Sequence, residues 1–183
     1  MPRYVAFLRA INVGGRIVKM ERLRAAFEEL GLSQVETFIA SGNVIFESRA
    51  NAGTLERKIA QHLHKALGYE VTTFIRSDVE LGAIAAHGAF PAAKLVAPET
   101  TLFIGLLAAG PSTESQAKLL SYPSKVDEFH FHNRELYWLC RTRASDSEFS
   151  GARLEKLLGL RVTVRNANTI NRLLAKYPAV QSR

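Results

Sequence analysis

The order of strands and helices that this 183-residue sequence predicts occurs twice along the chain. In the first half, strand-like segments read "RYVAFLR", "QVETFIA", "NVIFES" and "EVTTFIR". Two segments between them carry apolar residues every three or four positions, the spacing of an amphipathic helix, and a capping box at Ser77–Glu80 opens a further helix. The order is therefore β-α-β-β-α-β followed by one helix. It restricts the chain to a small sheet with helices packed against it.

The second half repeats this order after a segment with two prolines and no regular period, "GAFPAAKLVAPE", which we interpret as a linker. Its strand-like segments read "TTLFIGLL", "KVDEFHFH", "RELYWLCR" and "RVTVRN". The sequence thus predicts an α+β fold of two tandem ferredoxin-like β-α-β-β-α-β modules with antiparallel sheets, each followed by an extra helix. We expect the first module at 1–90, the linker at 91–99 and the second module at 100–183.

The first strand is apolar on both of its faces. Val5 and Phe7 alternate with Tyr4, Ala6 and Leu8, so neither side of the strand suits exposure to water. The helices of a single module cover only one side of its sheet. We therefore expect the two modules either to pack on each other in a monomer or to pair in a homodimer.

Composition excludes several classes of protein. The only cysteine is Cys140, so an internal disulfide and a cysteine-based zinc cluster are both excluded. No apolar run approaches the roughly 20 residues that span a bilayer, and the N-terminus lacks the apolar core and cleavage site of a signal peptide. We expect a cytoplasmic protein without a membrane partner, in which Cys140 is a small buried side chain.

A glycine loop between the first strand and the first helix is the main candidate site. The sequence carries 24 basic and 17 acidic residues, a net charge of +7 that favours anions. Glycines let backbone amides approach a ligand closely, and the helix N-terminus beyond the loop favours negative charge. In the predicted sheet the third strand lies beside the first, so the turn before it reaches the same edge. The predicted ligand-binding residues are Arg9, Asn12, Gly14, Gly15, Arg16, Ser41 and Asn43.

This loop matches neither of the common phosphate-binding motifs. It lacks the Gly-Lys-Ser/Thr of a P-loop and the three spaced glycines of a dinucleotide-binding fingerprint, so we expect no cofactor. The sequence favours a small anionic ligand that bears phosphate or carboxylate. The alternative is that the glycines only turn the chain through positive φ, and that Ser41-Gly42-Asn43 only forms a tight two-residue hairpin turn.

A second polar segment, "RNANT", stands where the last strand passes into the last helix. Asn166 or Asn168 can cap this helix, but four polar residues exceed what a cap requires. We expect Arg165 to tie the two modules together or to bind an anion. This second polar site comprises Arg165, Asn166, Asn168 and Thr169.

The histidines and the candidate catalytic side chains indicate less about the function of the protein. His130 and His132 alternate along a strand and share one face, with Phe129 and Phe131 turned inward. A third metal ligand is not evident, so we expect a solvated sheet face and no metal site. No Ser-His-Asp or Cys-His set is visible, although such sets need not be local in sequence. Whether the protein is an enzyme therefore stays open.

Two alternative functions follow from the predicted fold. The same strand order occurs in RNA-recognition motifs, which stack bases on aromatic residues of the sheet. Phe103 and Phe46 are the candidates here, although the partner strand lacks the expected glycine-aromatic signature. The other alternative is a structural or protein-interaction module that presents an open sheet edge to a partner.

The motifs "LRAINVGG", "SGNVIF" and "TVRNANT", in this order and with a methionine opening the first helix, resemble the bacterial domain-of-unknown-function 1697 family. The resemblance extends over essentially the whole chain and implies a bacterial cytoplasmic protein, but the family carries no established activity. This chain departs from the family at Ala167, where an aromatic residue is usual. The resemblance points to Arg9, Asn12, Gly14, Gly15, Ser41, Gly42, Asn43, Arg165, Asn166, Asn168 and Thr169.

Overall fold

The computed structural model describes residues 1–12, 15, 17–39 and 42–178. The predicted ligand-binding residues Gly14, Arg16 and Ser41 lie outside the described residues. The chain divides into two compact units. Of the described residues, the first unit contains those up to Ala83 and those from Leu173 onward, and the second unit contains Ile84–Arg172.

The first unit is built on a four-stranded antiparallel sheet in the order β2-β3-β1-β4. This order confirms the predicted ferredoxin-like arrangement, in which the third strand lies beside the first. The elements are β1 (Arg3–Leu8), α1 (Met20–Glu28), β2 (Ser33–Phe38), β3 (Asn43–Glu47), α2 (Ala52–Leu67), β4 (Thr73–Ser77) and α3 (Asp78–Ala86).

Local signals in the sequence determine where these helices begin and end. The side chain of Asn51 accepts a hydrogen bond from the Thr54 amide at the start of α2, and Gly68 ends that helix in the left-handed conformation with φ of 78°. The predicted capping box opens α3. The Glu80 carboxylate accepts a hydrogen bond from the Ser77 amide, and the Ser77 hydroxyl accepts one from the Glu80 amide.

Both sides of β1 are buried, as its apolar pattern predicts. Ala6, Leu8 and Phe46 belong to the core beneath the helices. Val5 and Phe7, which point the other way along β1, are 2% and 0% exposed.

The second unit repeats this topology. Its four-stranded antiparallel sheet has the order β6-β7-β5-β8. One face packs on helices through a core that contains Trp138, Phe149 and the buried Cys140, with Phe129 and Phe131 against it. The elements are β5 (Thr101–Leu107), α4 (Thr113–Leu120), β6 (Asp127–His132), β7 (Glu135–Cys140), α5 (Gly151–Leu158), β8 (Val162–Asn166) and α6 (Ala167–Lys176).

The first hairpin differs from the sequence prediction. A two-residue turn at Gly42-Asn43 was expected, but Phe38 pairs with Asn43 and β3 begins at Asn43, so four residues connect the strands. Ile39 and Gly42 both have positive φ, 50° and 77°. Asn43 is therefore a strand residue and not a turn residue. The side-chain pattern does not distinguish these turn lengths, because Gly and Asn suit either.

The two compact units divide between Ala83 and Ile84 and again between Arg172 and Leu173, and the linker at 91–99 stays a prediction. Residues 84–90 group with the second unit, where the Tyr137 hydroxyl donates to the Ile84 carbonyl at 2.9 Å. The end of α6 groups with the first unit, where Lys176 and Tyr177 both bond to Glu36. Tertiary contacts of this kind leave no trace in local composition. Among the described residues, no helix combines the length and apolar character that crossing a membrane requires.

Candidate functional site

Two loops that are distant in sequence meet at one end of the first sheet. Phe7 pairs with Asn43, and the Leu8 amide donates to the Gly42 carbonyl at 2.8 Å. A Cβ added to Gly42 would lie 2.5 Å from Cγ2 of Ile11. The hairpin turn therefore packs directly on the chain that leaves β1, at the edge where the strand order places it.

The predicted polar residues at this edge already form hydrogen bonds with backbone groups of the protein. The Asn12 side-chain oxygen accepts a hydrogen bond from the Val18 amide at 2.8 Å, which closes the glycine loop. The buried Asn43 side chain donates to the Phe38 carbonyl at 3.1 Å across the hairpin. The half-buried Arg9 donates its backbone amide to the Thr72 carbonyl. Asn12 and Asn43 thus bind backbone groups of Val18 and Phe38 with their side chains.

An open groove of about 610 Å³ begins where the glycine loop ends. It lies between the start of α1 and the end of α2. Its walls are formed by Ile17, Val18, Lys19, Arg22, Ala66, Leu67 and Tyr69. Ile17 is 86% exposed, so an apolar side chain meets water at the groove. Sequence reasoning missed Tyr69, because no periodicity marks a residue that directly follows a helix.

The groove is electropositive. Lys19 precedes α1 as its N-cap, and its side chain makes no capping hydrogen bond to the first amides of that helix. The positive end of the helix dipole therefore adds to the charge of Lys19. Arg22 forms an ion pair with Glu29 at 3.3 Å, but both side chains are about half exposed. The ion pair is therefore weak, and Arg22 can bind another anion in place of Glu29. The Tyr69 hydroxyl donates to the Ile11 carbonyl and joins the groove to the loop region.

The side chains of Arg165 and Asn166 in the second polar site bond to groups of neighbouring residues in the sequence. One guanidinium nitrogen of Arg165 donates to Oγ1 of Thr163 at 2.8 Å and to the Val164 carbonyl at 3.0 Å. Burial lowers the pKa of Arg165 to about 10. The Asn166 side-chain oxygen accepts from the Asn168 amide at 2.8 Å, so Asn166 serves as the predicted helix cap.

Three histidines meet on the face of the second sheet that lies opposite its helical core. His87 Nε2 lies 3.1 Å from His130 Nε2, and the His87 ring stacks on His132 with centroids 4.0 Å apart. His132 is exposed, as predicted for a solvated face, whereas His130 is half-buried and the His87 ring packs against both. Sequence reasoning missed His87, which follows α3 and is distant in sequence from both partners. Among the described residues, no group of three ligands is arranged to hold a metal ion.

The stability of the protein should fall on mild acidification because of His87. Burial, and then the nearby His132 and His130, lower the pKa of His87 below its ordinary value of about 6.5. The folded protein therefore resists a proton that the unfolded chain accepts. The contribution of His87 to the free energy of unfolding is complete above about pH 6.5 and is lost as the pH falls below that value.

Thermal unfolding between about pH 7 and about pH 5 measures this contribution. The melting temperature of His87→Gln should depend less on pH than that of the wild type. His64→Gln is the matched control, because His64 is an exposed histidine of α2 in the first unit. Equal pH dependence in the wild type and His87→Gln would contradict the prediction.

The aromatic residues that suggested RNA binding point towards the helices. Phe46 is fully buried and packs on Phe27 with ring centroids 5.6 Å apart. Phe103 is half-buried and packs on Trp138 at 4.8 Å. RNA-recognition motifs stack bases on the opposite, exposed face of the sheet. These two residues therefore do not form a stacking surface.

Comparisons with known proteins give a family and a related structure. A family model described as "Protein of unknown function (DUF1697)" matches residues 1–137 of the chain. The solved structure of the conserved bacterial protein SP0830 from Streptococcus pneumoniae is similar, with 25% sequence identity and a TM-score of 0.73. The similarity covers 94% of this chain and 96% of that chain. No curated protein matches the sequence.

Proposed function

The chain belongs to the DUF1697 family of proteins of unknown function, and from this premise we propose that it binds a small anionic ligand in the groove of its first unit. The observation that supports the proposal is the groove itself, in which Lys19, Arg22 and the start of α1 stand beside apolar walls. Arg9 and the amide of Gly15 at the same end of the unit belong to the proposal as further ligand groups.

The groups in the groove fit a ligand with a charged and an apolar part. Lys19 supplies a point charge, and Arg22 supplies a planar fork that matches carboxylate or phosphate. Helix amides at the start of α1 donate to the same anion. The exposed Ile17 and the side chain of Leu67 offer contact to an organic body. Asn12 and Asn43 act in this proposal by shaping the loops, because their side chains bond to the backbone.

Thermal shift against a panel of inorganic phosphate, sugar phosphates, nucleoside 5′-monophosphates and aromatic carboxylates tests the proposal. A ligand present at about 100 times its Kd stabilises the folded state by about 2.7 kcal/mol, which raises the melting temperature by several degrees. We expect such a shift for at least one anion, and we expect Lys19→Met to remove most of it. Increasing salt should weaken binding, since the groove is open to solvent.

A matched substitution separates the groove from general surface charge. Lys58→Met removes an exposed lysine of α2 that does not line the groove, and the ligand-induced shift should persist in it. Arg9→Ala should weaken binding with little loss of stability if its side chain is a ligand group. A panel without any shift, or a shift that Lys19→Met and Lys58→Met reduce equally, would refute binding in the groove.

A further inference from the structure

The second unit contains two adjoining cavities beside the first half of α6. Their volumes are about 250 Å³ and about 260 Å³. Both are lined by Leu95, Leu102, Ala167 and Asn171, so they meet along the same stretch of wall. We refer to the two cavities together as the α6 cleft. A cavity of about 150 Å³ already accommodates benzene, so each half of the α6 cleft has room for a ring.

The two halves of the cleft differ in polarity. One half is lined by Thr100, Thr101 and the asparagines at the start of α6. Asn168 and Asn171 lie three residues apart and therefore on the same side of α6. Within the described part of the chain, the side-chain amides of Asn168 and Asn171 make no hydrogen bond to protein. They provide donors and acceptors for hydroxyl groups of a ligand.

The other half of the cleft is apolar and aromatic. Leu102 and Ile104 of β5 line it together with Phe90 and the rings of His87 and Tyr137. Aromatic rings pack against such groups by stacking or edge contact. The Tyr137 hydroxyl is committed to the Ile84 carbonyl, so Tyr137 offers its ring and not its hydroxyl.

No Asp, Glu, Lys or Arg is among the described residues that line the two cavities. A buried ligand charge would therefore lack a counter-charge, which is costly. The 3.1 Å approach of His87 Nε2 to His130 Nε2 requires one of the two nitrogens to be unprotonated, so that it can accept a hydrogen bond from the N–H of the other. This hydrogen bond cannot form when both rings are fully protonated. The cleft is thus suited to an uncharged molecule.

We propose that the α6 cleft binds an uncharged ligand that joins an aromatic ring to a hydroxyl-bearing part, which is the chemistry of a nucleoside. The ring lies in the half formed by Phe90, Ile104 and His87, and the hydroxyl groups bond to Asn168 and Asn171. Ala167 lines both halves of the cleft, and its side chain is the smallest of the four that they share. This site is separate from the proposed anion groove in position and in the charge of its ligand.

Titration with the four common ribonucleosides, followed by ligand-observed NMR and calorimetry, tests the proposal. We expect at least one nucleoside to bind. Ala167→Trp fills the junction and should weaken binding by about ten-fold or more. Ala117→Trp is the matched control, because Ala117 is exposed on α4 and does not line the cleft. Binding to Ala117→Trp should equal binding to the wild type.

Two further measurements keep the test decisive. Asn171→Asp places a charge on an exposed position of the cleft without adding bulk, so it should weaken binding even if Ala167→Trp fails to fold. Lys19→Met should leave nucleoside binding unchanged, which separates this site from the anion groove. Absence of binding by all four nucleosides, or binding that Ala167→Trp and Asn171→Asp both leave intact in folded protein, would overturn the proposal.

Discussion

Replacing Gly42 by alanine should lower the free energy of unfolding by about 3 kcal/mol. Gly42 has φ of 77°, a conformation that costs an L-residue about 1–2 kcal/mol. The new Cβ would also lie 2.5 Å from Cγ2 of the buried Ile11 and 3.2 Å from Cβ of Leu8. Overpacking of this kind costs about 1–3 kcal/mol in addition. Chemical denaturation of the wild type and the variant measures the difference.

Gly68→Ala separates the two contributions. Gly68 has nearly the same φ, 78°, but an added Cβ there meets no atom within 4 Å. Its replacement should cost only about 1 kcal/mol, the conformational part of the effect. Equal losses for Gly42→Ala and Gly68→Ala would show that the contact with Ile11 relaxes freely, and would contradict the predicted close packing of the hairpin on β1.

Replacing Asp127 by alanine should destabilise the protein by about 3 kcal/mol, because one buried carboxylate joins three segments of the second unit. Its Oδ1 accepts hydrogen bonds from Trp138 Nε1 at 2.7 Å and from the Ser147 hydroxyl at 3.0 Å. Its Oδ2 accepts from the Ser124 hydroxyl at 3.0 Å. Removal of the carboxylate leaves the buried indole N–H of Trp138 without an acceptor. Denaturant unfolding monitored by Trp138 fluorescence measures the loss.

Two variants control this experiment. Asp146→Ala removes an exposed carboxylate from the neighbouring loop and should change the free energy of unfolding by less than about 0.5 kcal/mol. Asp127→Asn retains an oxygen that can accept from Trp138 and should recover part of the stability. If Asp127→Ala were as stable as Asp146→Ala, the carboxylate would not connect these segments.

The substitutions at Gly42 and Asp127 change different parts of the protein, so they should affect the two proposed sites differently. Gly42 and Ile11 shape the loops beside the anion groove in the first unit. Asp127 belongs to the helix-covered side of the second unit, whereas His87 and Tyr137 of the α6 cleft lie on the other side of the sheet. Asp127→Asn should therefore leave nucleoside binding to the α6 cleft intact.

Features that depend on neighbouring residues were predictable from the sequence. The strand order, the capping box at Ser77 and the C-cap at Gly68 all follow from periodicity and turn chemistry over a few residues. The inward direction of Phe129 and Phe131 follows from the two-residue period of a strand. Each of these properties depends on residues that lie within a few positions of one another, so the local sequence pattern is enough to predict it.

Only the tertiary structure decided which distant residues form a site. His87 approaches His130 across 43 positions of sequence, and Tyr69 reaches the carbonyl of Ile11 across 58. Asn43 was expected to face a ligand, but the strand register buries its side chain against Phe38. Such pairings are determined by register and by the packing of whole elements. A local sequence pattern constrains neither, because residues far apart in the chain come together only when the sheet has formed.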